Sequence, residues 1–306
     1  MRILLTGTNG FVGQHTYRQL ISEGYEVLGL VGPGHAGRGL QSVDITNSSA
    51  VEAIVGFNKP NVVIHLAAQS SVHRSWASPD NTLTVNALGT LNLWMASAYH
   101  GVDHFVYIST AEVYHTASES KCLDEESTVV PTNPYGTSKL TAELLLRQLK
   151  PQSHTRLTIL RPFNHIGPGQ DFNFVIPNFA RQLSEARQSA YPKIYVGNLS
   201  AIRDFLDVRD VARAYTMVAA SHTISGTFNI CSGTPRTIEA VLGDLIRVSK
   251  VKNVEVVADP ARMRSVDVPV LVGNPERFMR TTGWHQRMDW DQTLRDIWAS
   301  VAGNGE

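Results

Sequence analysis

Tyr135 and Lys139 lie four residues apart in Tyr135-Gly-Thr-Ser-Lys139, directly after Asn133-Pro134. On a helix that spacing puts both side chains on one face, one turn apart. A free phenol, with a pKa of about 10, is a poor acid or base at neutral pH. An ammonium beside it favours the phenolate and draws the pKa toward the working range, so the pair can serve general acid–base chemistry. Upstream, Ser109-Thr110-Ala111-Glu112-Val113-Tyr114 follows an apolar run. A hydroxyl there can hydrogen-bond a substrate oxygen and share its proton with a tyrosine; the blander reading is a strand end whose Ser and Thr satisfy backbone groups. A third group, Gly7, Gly10 and Gly13, separates an apolar run from a helical pattern through Val12, Leu20 and Ile21. Glycine lets an anion approach the backbone, and a helix N-terminus offers unpaired N–H groups and partial positive charge. Such a turn suits a dinucleotide pyrophosphate, although its G-x-x-G-x-x-G spacing differs from G-x-G-x-x-G.

These groups act together only if one scaffold gathers them. Ile3–Leu5, Glu26–Val31, Val62–Leu66, His104–Ile108 and Leu157–Leu160 read as buried strands. Helical patterns over Gly13–Glu23, Ala50–Gly56, Leu83–Tyr99 and Tyr135–Leu149 separate them. This alternation predicts parallel βαβ crossovers and an α/β, doubly wound, Rossmann-like sheet. Ligands of such sheets bind beyond the carboxyl ends of the strands, where the glycines and Ser109-Thr110 fall. From Arg161 onward Pro and Gly mark loops, a helix follows Arg203-Asp-Phe-Leu-Asp, and Thr227–Ile230 reads as one more strand. The expected division is a dinucleotide-binding domain over 1–164 and 205–233, interleaved with a smaller C-terminal substrate domain over 165–204 and 234–306.

At 306 residues the chain can bury a large core. Its 27 basic and 27 acidic residues balance, which gives no electrostatic reason to expect nucleic acid or a membrane as partner. No apolar run approaches bilayer length, and the opening strand has no basic leader, so a cytoplasmic enzyme without a cleaved signal is expected. Cys122 and Cys231 are too few for a disulfide framework and receive no chemistry. No metal is expected.

The glycine turn, Asp44-Ile45, His65-Leu-Ala-Ala68, Asn86, Ser109-Thr110, the Tyr-x-x-x-Lys pair and Arg161-Pro-Phe-Asn164 occur in register. As a set they resemble the extended short-chain dehydrogenase/reductases that act on nucleotide-diphosphate sugars, over nearly the whole chain. The resemblance implies that Gly7, Gly10 and Gly13, with Phe11 and Val12, hold the cofactor pyrophosphate. It implies that Asp44 and Ile45 contact adenine and that Leu66, Ala67 and Ala68 line the cofactor cleft. Thr110 would orient the reacting oxygen, and Tyr135 would give or take the proton. Lys139 would tune Tyr135 and hold the nicotinamide ribose.

Asn164–Gln170, Phe174–Pro177, Val196–Leu199, Arg203-Asp-Phe and Arg262-Met-Arg264 look like the GDP-sugar branch of that family. A lone arginine would read as a solvated charge, but arginine forks suit phosphate oxygens. The resemblance implies Arg203 and Arg264 on the substrate diphosphate and Asn164 on phosphate or sugar. Glu112, Val175, Asn178, Arg181 and Asn198 complete the implied substrate site. The implied reaction is reduction of GDP-4-keto-6-deoxy-D-mannose to GDP-D-rhamnose by NADPH or NADH, with Tyr135 as proton donor. A GDP-mannose 4,6-dehydratase, with Glu112 as base, and a 4-epimerase are the alternatives on the same fold. A non-catalytic sensor would have no use for Thr110, Tyr135 and Lys139 together. Also implied is a homodimer in which Leu83–Tyr99 and Tyr135–Leu149 pair as a four-helix bundle, with Leu91, Leu93, Trp94 and Leu144–Leu146 at helical spacing.

Three positions depart from the pattern. His115 replaces a usual glycine, and Ser265 stands where a proline often follows the second arginine. Gly29-Leu-Val-Gly32 carries no acid to accept a ribose 2′-OH, which allows NADPH, with Arg38 nearby as a candidate for the 2′-phosphate.

Overall fold

In the computed structural model, which describes residues 1–35, 39–115, 122–263 and 268–303, the apolar runs become strands joined by helical crossovers. The chain starts β1 (Arg2–Thr6), α1 (Phe11–Ser22), β2 (Glu26–Val31), β3 (Leu40–Ser42), α2 (Ser48–Asn58) and β4 (Val62–His65). Short α3 (Val72–Ala77) and α4 (Pro79–Leu83), a π-turn over Thr84–Leu88 and α5 (Gly89–Tyr99) lead to β5 (His104–Ile108), α6 (Pro134–Leu149) and β6 (Arg156–Pro162). Next come β7 (Asn164–Ile166), α7 (Val175–Ala186), β8 (Lys193–Val196), β9 (Ile202–Asp207), α8 (Val208–Ala220) and β10 (Gly226–Ile230). The last part holds β11 (Pro235–Thr237), α9 (Ile238–Ser249), β12 (Glu255–Ala258), β13 (Val270–Leu271), α10 (Glu276–Thr282) and α11 (Trp290–Ala302).

Among the described residues, β10-β6-β5-β4-β1-β2-β3 form a seven-stranded parallel sheet. Alternate residues of each strand feed two cores. Ile3, Leu5, Val106 and Ile108 pack with Val211 and Tyr215 of α8, whereas Leu4, Phe105 and Tyr107 pack with Val51, Leu93, Trp94 and Leu146 of α2, α5 and α6. A one-residue slip of any strand would exchange these faces, so burial on both sides fixes the register. The strand order reverses between β1 and β4, which opens a crevice beyond their carboxyl ends.

In the second layer β9 pairs with β7, β11 and β13, and β8 pairs with β12. Helices α7, α9 and α11 close over a separate core that includes Phe179, Leu183, Val241, Leu245 and Ile297. Between β9 and β11 the chain returns to the large sheet as α8 and β10. The two layers are thus interleaved, and Phe278 of α10 joins the core under the large sheet.

The expected continuous helix Leu83–Tyr99 is interrupted by the π-turn. Leu93, Trp94 and Leu146 are buried against the sheet, while Leu83, Leu88, Met95, Tyr99 and Leu144 are the exposed large apolar residues of those segments. Among the described residues no helix is long and apolar enough to cross a membrane.

Candidate active site

The glycine turn joins β1 to α1 at the reversal point. Gly7 has φ +71°, and a Cβ there would stand 2.9 Å from the Ala67 nitrogen; one on Gly13 would lie 2.0 Å from the Gly7 oxygen. Only glycine fits such a close approach. The turn is held by Gly10 N–H on the Gly7 carbonyl (3.0 Å), Thr8 N–H on Leu30 (3.1 Å) and Thr8 Oγ1 on Leu5 (2.7 Å). No side chain caps α1 at Gly10, and its first turn has no acid, so the free N–H groups and positive helix pole remain for an anion. The cradle therefore fits a dinucleotide pyrophosphate.

Other residues of the expected cofactor cleft lie at the same end of the sheet. Leu66, Ala67 and Ala68 are half-buried after β4. Asp44 is exposed, and its carboxylate accepts from Thr46 N–H and hydroxyl. The Ile45 side chain is buried in the core beneath α5, which leaves the main chain for any adenine contact at that position. Phe11 stacks on His165 (6.1 Å, 10° between planes), a contact from the cofactor turn to the second half of the chain. Arg38 and Arg264 lie outside the described residues.

Asn133 caps α6 through Gly136 N–H (2.8 Å), and Pro134 occupies the first turn, where a missing N–H costs nothing. That start sets Tyr135 beside the loop after β5. The Thr110 side chain lies beside the Tyr135 hydroxyl, and its Oγ1 accepts from Glu112 N–H at 3.2 Å. Lys139 Nζ donates to the Ile108 carbonyl at 2.6 Å and sits 4.8 Å from the centre of the Tyr107 ring. Burial raises the Tyr135 pKa; the neighbouring Thr110 side chain opposes that shift and Glu112 adds to it. Burial also lowers Lys139 from 10.5 to about 7, with Glu143 pulling the other way.

Sequence reasoning missed Glu143. It is fully buried and accepts Ser109 Oγ at 2.6 Å and both Arg161 Nε (2.9 Å) and Nη2 (2.6 Å). The Arg161 guanidinium in turn lies 4.8 Å from the Tyr114 ring centre, and Tyr114 donates to Asn229 at 2.6 Å. This network ties α6 and β6 to the loop that carries Thr110. The signal was present as a second four-residue step, Lys139 to Glu143, on the face that carries Tyr135.

The expected substrate residues are more open. Glu112 accepts from Asn133 at 2.8 Å, which anchors it beside the start of α6. Asn164 Oδ1 and, nearby in sequence, Gln170 Oε1 are buried and make no hydrogen bond among the described residues. Asn178 accepts from Gln182 (2.7 Å) and Arg262 (3.1 Å), and Arg181 lies over Phe172. Val175 begins α7 without a side-chain cap. Asn198 accepts from Ser200, and Arg203 Nη1 donates to Ile202. His115, the departure in the loop after β5, is exposed and its N–H donates to Thr128.

A family model described as GDP-mannose 4,6 dehydratase matches residues 4–297. The chain is 36% identical over 299 residues to GDP-6-deoxy-D-mannose reductase of Pseudomonas aeruginosa, covering 97% of this chain and 95% of the relative. The structure of RMD from Pseudomonas aeruginosa complexed with NADPH superposes with a TM-score of 0.88 at 34% identity, over 99% of both chains. UDP-glucose 4-epimerase of Thermus thermophilus, in complex with NAD, also gives 0.88, at 28% identity and 99% of both chains.

Proposed function

The chain belongs to the GDP-mannose 4,6 dehydratase family, and we propose that it reduces GDP-4-keto-6-deoxy-D-mannose to GDP-D-rhamnose with NADPH or NADH. The observation that carries the reading is the Thr110–Tyr135 hydroxyl pair after β5, at the same sheet end as a glycine cradle shaped for a pyrophosphate. The similarity to GDP-6-deoxy-D-mannose reductase and to an NADPH-bound neighbour supports the substrate class and the cofactor.

When bound, the nicotinamide supplies a hydride for the sugar C4 carbonyl. Thr110 holds the carbonyl oxygen, and Tyr135, kept protonated by burial, delivers the proton as the alkoxide forms. Gly7, Gly10 and Gly13 receive the pyrophosphate, with Phe11 and Val12 at the helix start. Asp44 and the Ile45 main chain border adenine. Leu66, Ala67 and Ala68 form the cleft wall. Lys139 gives the ribose a donor from the buried side of the cleft. Arg203, Asn164, Asn178, Arg181, Asn198 and Val175 receive the GDP-sugar, with Glu112 beside the sugar. The absence of an acid after β2 favours NADPH over NADH.

We propose further that two copies pair through α5 and α6, with Leu88, Met95, Tyr99 and Leu144 as the contact face, and that the enzyme works in the cytoplasm. The division into 1–164 with 205–233 and 165–204 with 234–306 is the proposed assignment of cofactor and sugar domains.

Adding GDP-4-keto-6-deoxymannose to enzyme and NADPH should oxidise one NADPH per sugar, and NMR of the product fixes the C4 configuration. Turnover of GDP-mannose with no net cofactor consumption would overturn the reductase reading in favour of the dehydratase.

A further inference from the structure

Between the glycine turn and Tyr135 runs a row of buried hydrogen bonds whose directions follow from donor chemistry. Thr90 has one hydroxyl proton and gives it to the Asn86 carbonyl at 2.6 Å. Its oxygen can then only accept from His65 Nε2, 2.9 Å away, so the imidazole proton resides on Nε2. His65 Nδ1 is therefore an acceptor and takes the Thr6 hydroxyl at 2.8 Å. The Thr6 oxygen accepts in turn from Ala67 N–H at 3.0 Å.

Beyond Asn86 the row continues through its side chain. Asn86 Nδ2 donates to Ser138 Oγ at 2.9 Å, and Ser138 donates to the Tyr135 carbonyl at 2.7 Å. Asn86 also clamps both backbone groups of Gln69, at 2.8 and 3.0 Å. Thr6, His65, Asn86, Thr90 and Ser138 are each at most 1% exposed, so water cannot replace a lost partner. Moving the proton to Nδ1 would leave the Thr6 hydroxyl proton without its acceptor and draw the Thr90 proton from the Asn86 carbonyl to Nε2. Burial, reinforced by the Lys139 charge, lowers the His65 pKa to about 3 and keeps the ring neutral.

Both ends of the row abut chemistry. The Ala67 nitrogen lies so close to Gly7 that a Cβ there would stand 2.9 Å from it, so this peptide is the floor of the glycine turn. The other end reaches the backbone of the proton donor. We propose that His65 is a positioning residue: as its Nε2–H tautomer it couples the Ala67 peptide, and so the glycine turn, to the Asn86–Ser138–Tyr135 segment, which keeps cofactor and proton donor at one spacing. This inference rests on the dinucleotide reading of the cleft.

The test uses Thr6→Val, Thr90→Val, their double variant and His65→Gln in the full chain. Histidine-labelled wild type should show the Nε2–H tautomer at neutral pH by nitrogen–proton correlation, with the signal assigned by its loss in His65→Gln. An Nδ1–H tautomer overturns the proposal. Each Thr→Val change removes one hydroxyl while keeping the side-chain shape. Each should weaken NADPH binding about three- to tenfold, titrated without sugar, with a similar loss in kcat. Because the row acts as one unit, the double variant should be no worse than the stronger single. Additive losses, or unchanged NADPH binding in a Thr90→Val protein whose thermal midpoint alone has fallen, would reduce His65 to packing. A wrong sugar assignment leaves tautomer and NADPH titration untouched. Failure of wild type to bind NADPH overturns the cofactor reading and this inference together.

Discussion

The part of the crevice around the glycine turn and the part proposed for the sugar are built differently. Around the glycine turn, polar groups from β1, β4, α5 and α6 meet in full burial, and partners such as Thr6 and His65 or Asn86 and Ser138 are far apart in sequence. On the proposed sugar side, Phe172, Phe174, Val175 and Met263 are exposed, and several polar contacts are local, such as Asn198 with Ser200 and Asn178 with Gln182. A buried, nonlocal site comes with the fold and changes only at a cost in stability. An exposed, local one can be altered residue by residue, which fits a family whose members share a cofactor type and differ in their sugars.

The seam between the halves should give the largest effect. Tyr135→Phe is expected to lower kcat by about 10²–10⁴-fold while NADPH affinity stays within about twofold, because only one hydroxyl is lost. Near-normal turnover would place the acid elsewhere. Next, Glu143→Ala leaves Arg161 buried and unpaired, so a loss of about 3–5 kcal/mol in urea unfolding is expected. Asn178→Ala, on the open side, should cost less than about 1 kcal/mol and act on the KM for the sugar nucleotide. Equal destabilisation by the two would dissolve the contrast.

Arg203→Ala should weaken GDP binding by about ten- to hundredfold, the worth of a charge-assisted contact, and leave NADPH titration unchanged. Equal weakening of both ligands would assign Arg203 to the framework. A pH slope tests the buried side in another way. Lys139 titrates at about 7 when folded, below its ordinary 10.5, because burial penalises the ammonium. Between those values the unfolded chain binds the extra proton, so stability gains about 1.4 kcal/mol per pH unit as pH rises through that window, and the gain is absent below it. Urea unfolding of wild type against Lys139→Met at pH 7 and pH 9 should show a difference of that sign; identical slopes would mean that Lys139 is not charged-state sensitive.

The same contrast explains what could be read in advance. The strands β1, β2, β4, β5 and β6 are continuous apolar runs because parallel strands are covered on both faces, and their places were legible. The short β3 and the β8–β12 ribbon are half-exposed, carry weaker patterns and were not. The break in Leu83–Tyr99 was invisible because a π-turn keeps helical composition. Tyr135 and Thr110 were legible as a spacing and as a strand end. The Ile108 carbonyl that takes the Lys139 ammonium was not, because the sheet brings it to the helix. Glu143 and His65 act through partners brought in by the sheet, and no local pattern encodes a partner.

The order of strands in the large sheet bears on how the protein is made. Strand β6 is flanked by β5 and by β10, and β10 leaves the ribosome only after β7, α7, β8, β9 and α8. Until then a nascent chain that has folded its first half presents β6, with its apolar Leu157, Ile159 and Leu160, as an open edge. The seven-stranded sheet is therefore completed late in synthesis, by a strand that follows β7, β8 and β9 of the second layer along the chain. A ribosome stalled after β6 would hold an adhesive fragment and not a small, self-sufficient domain.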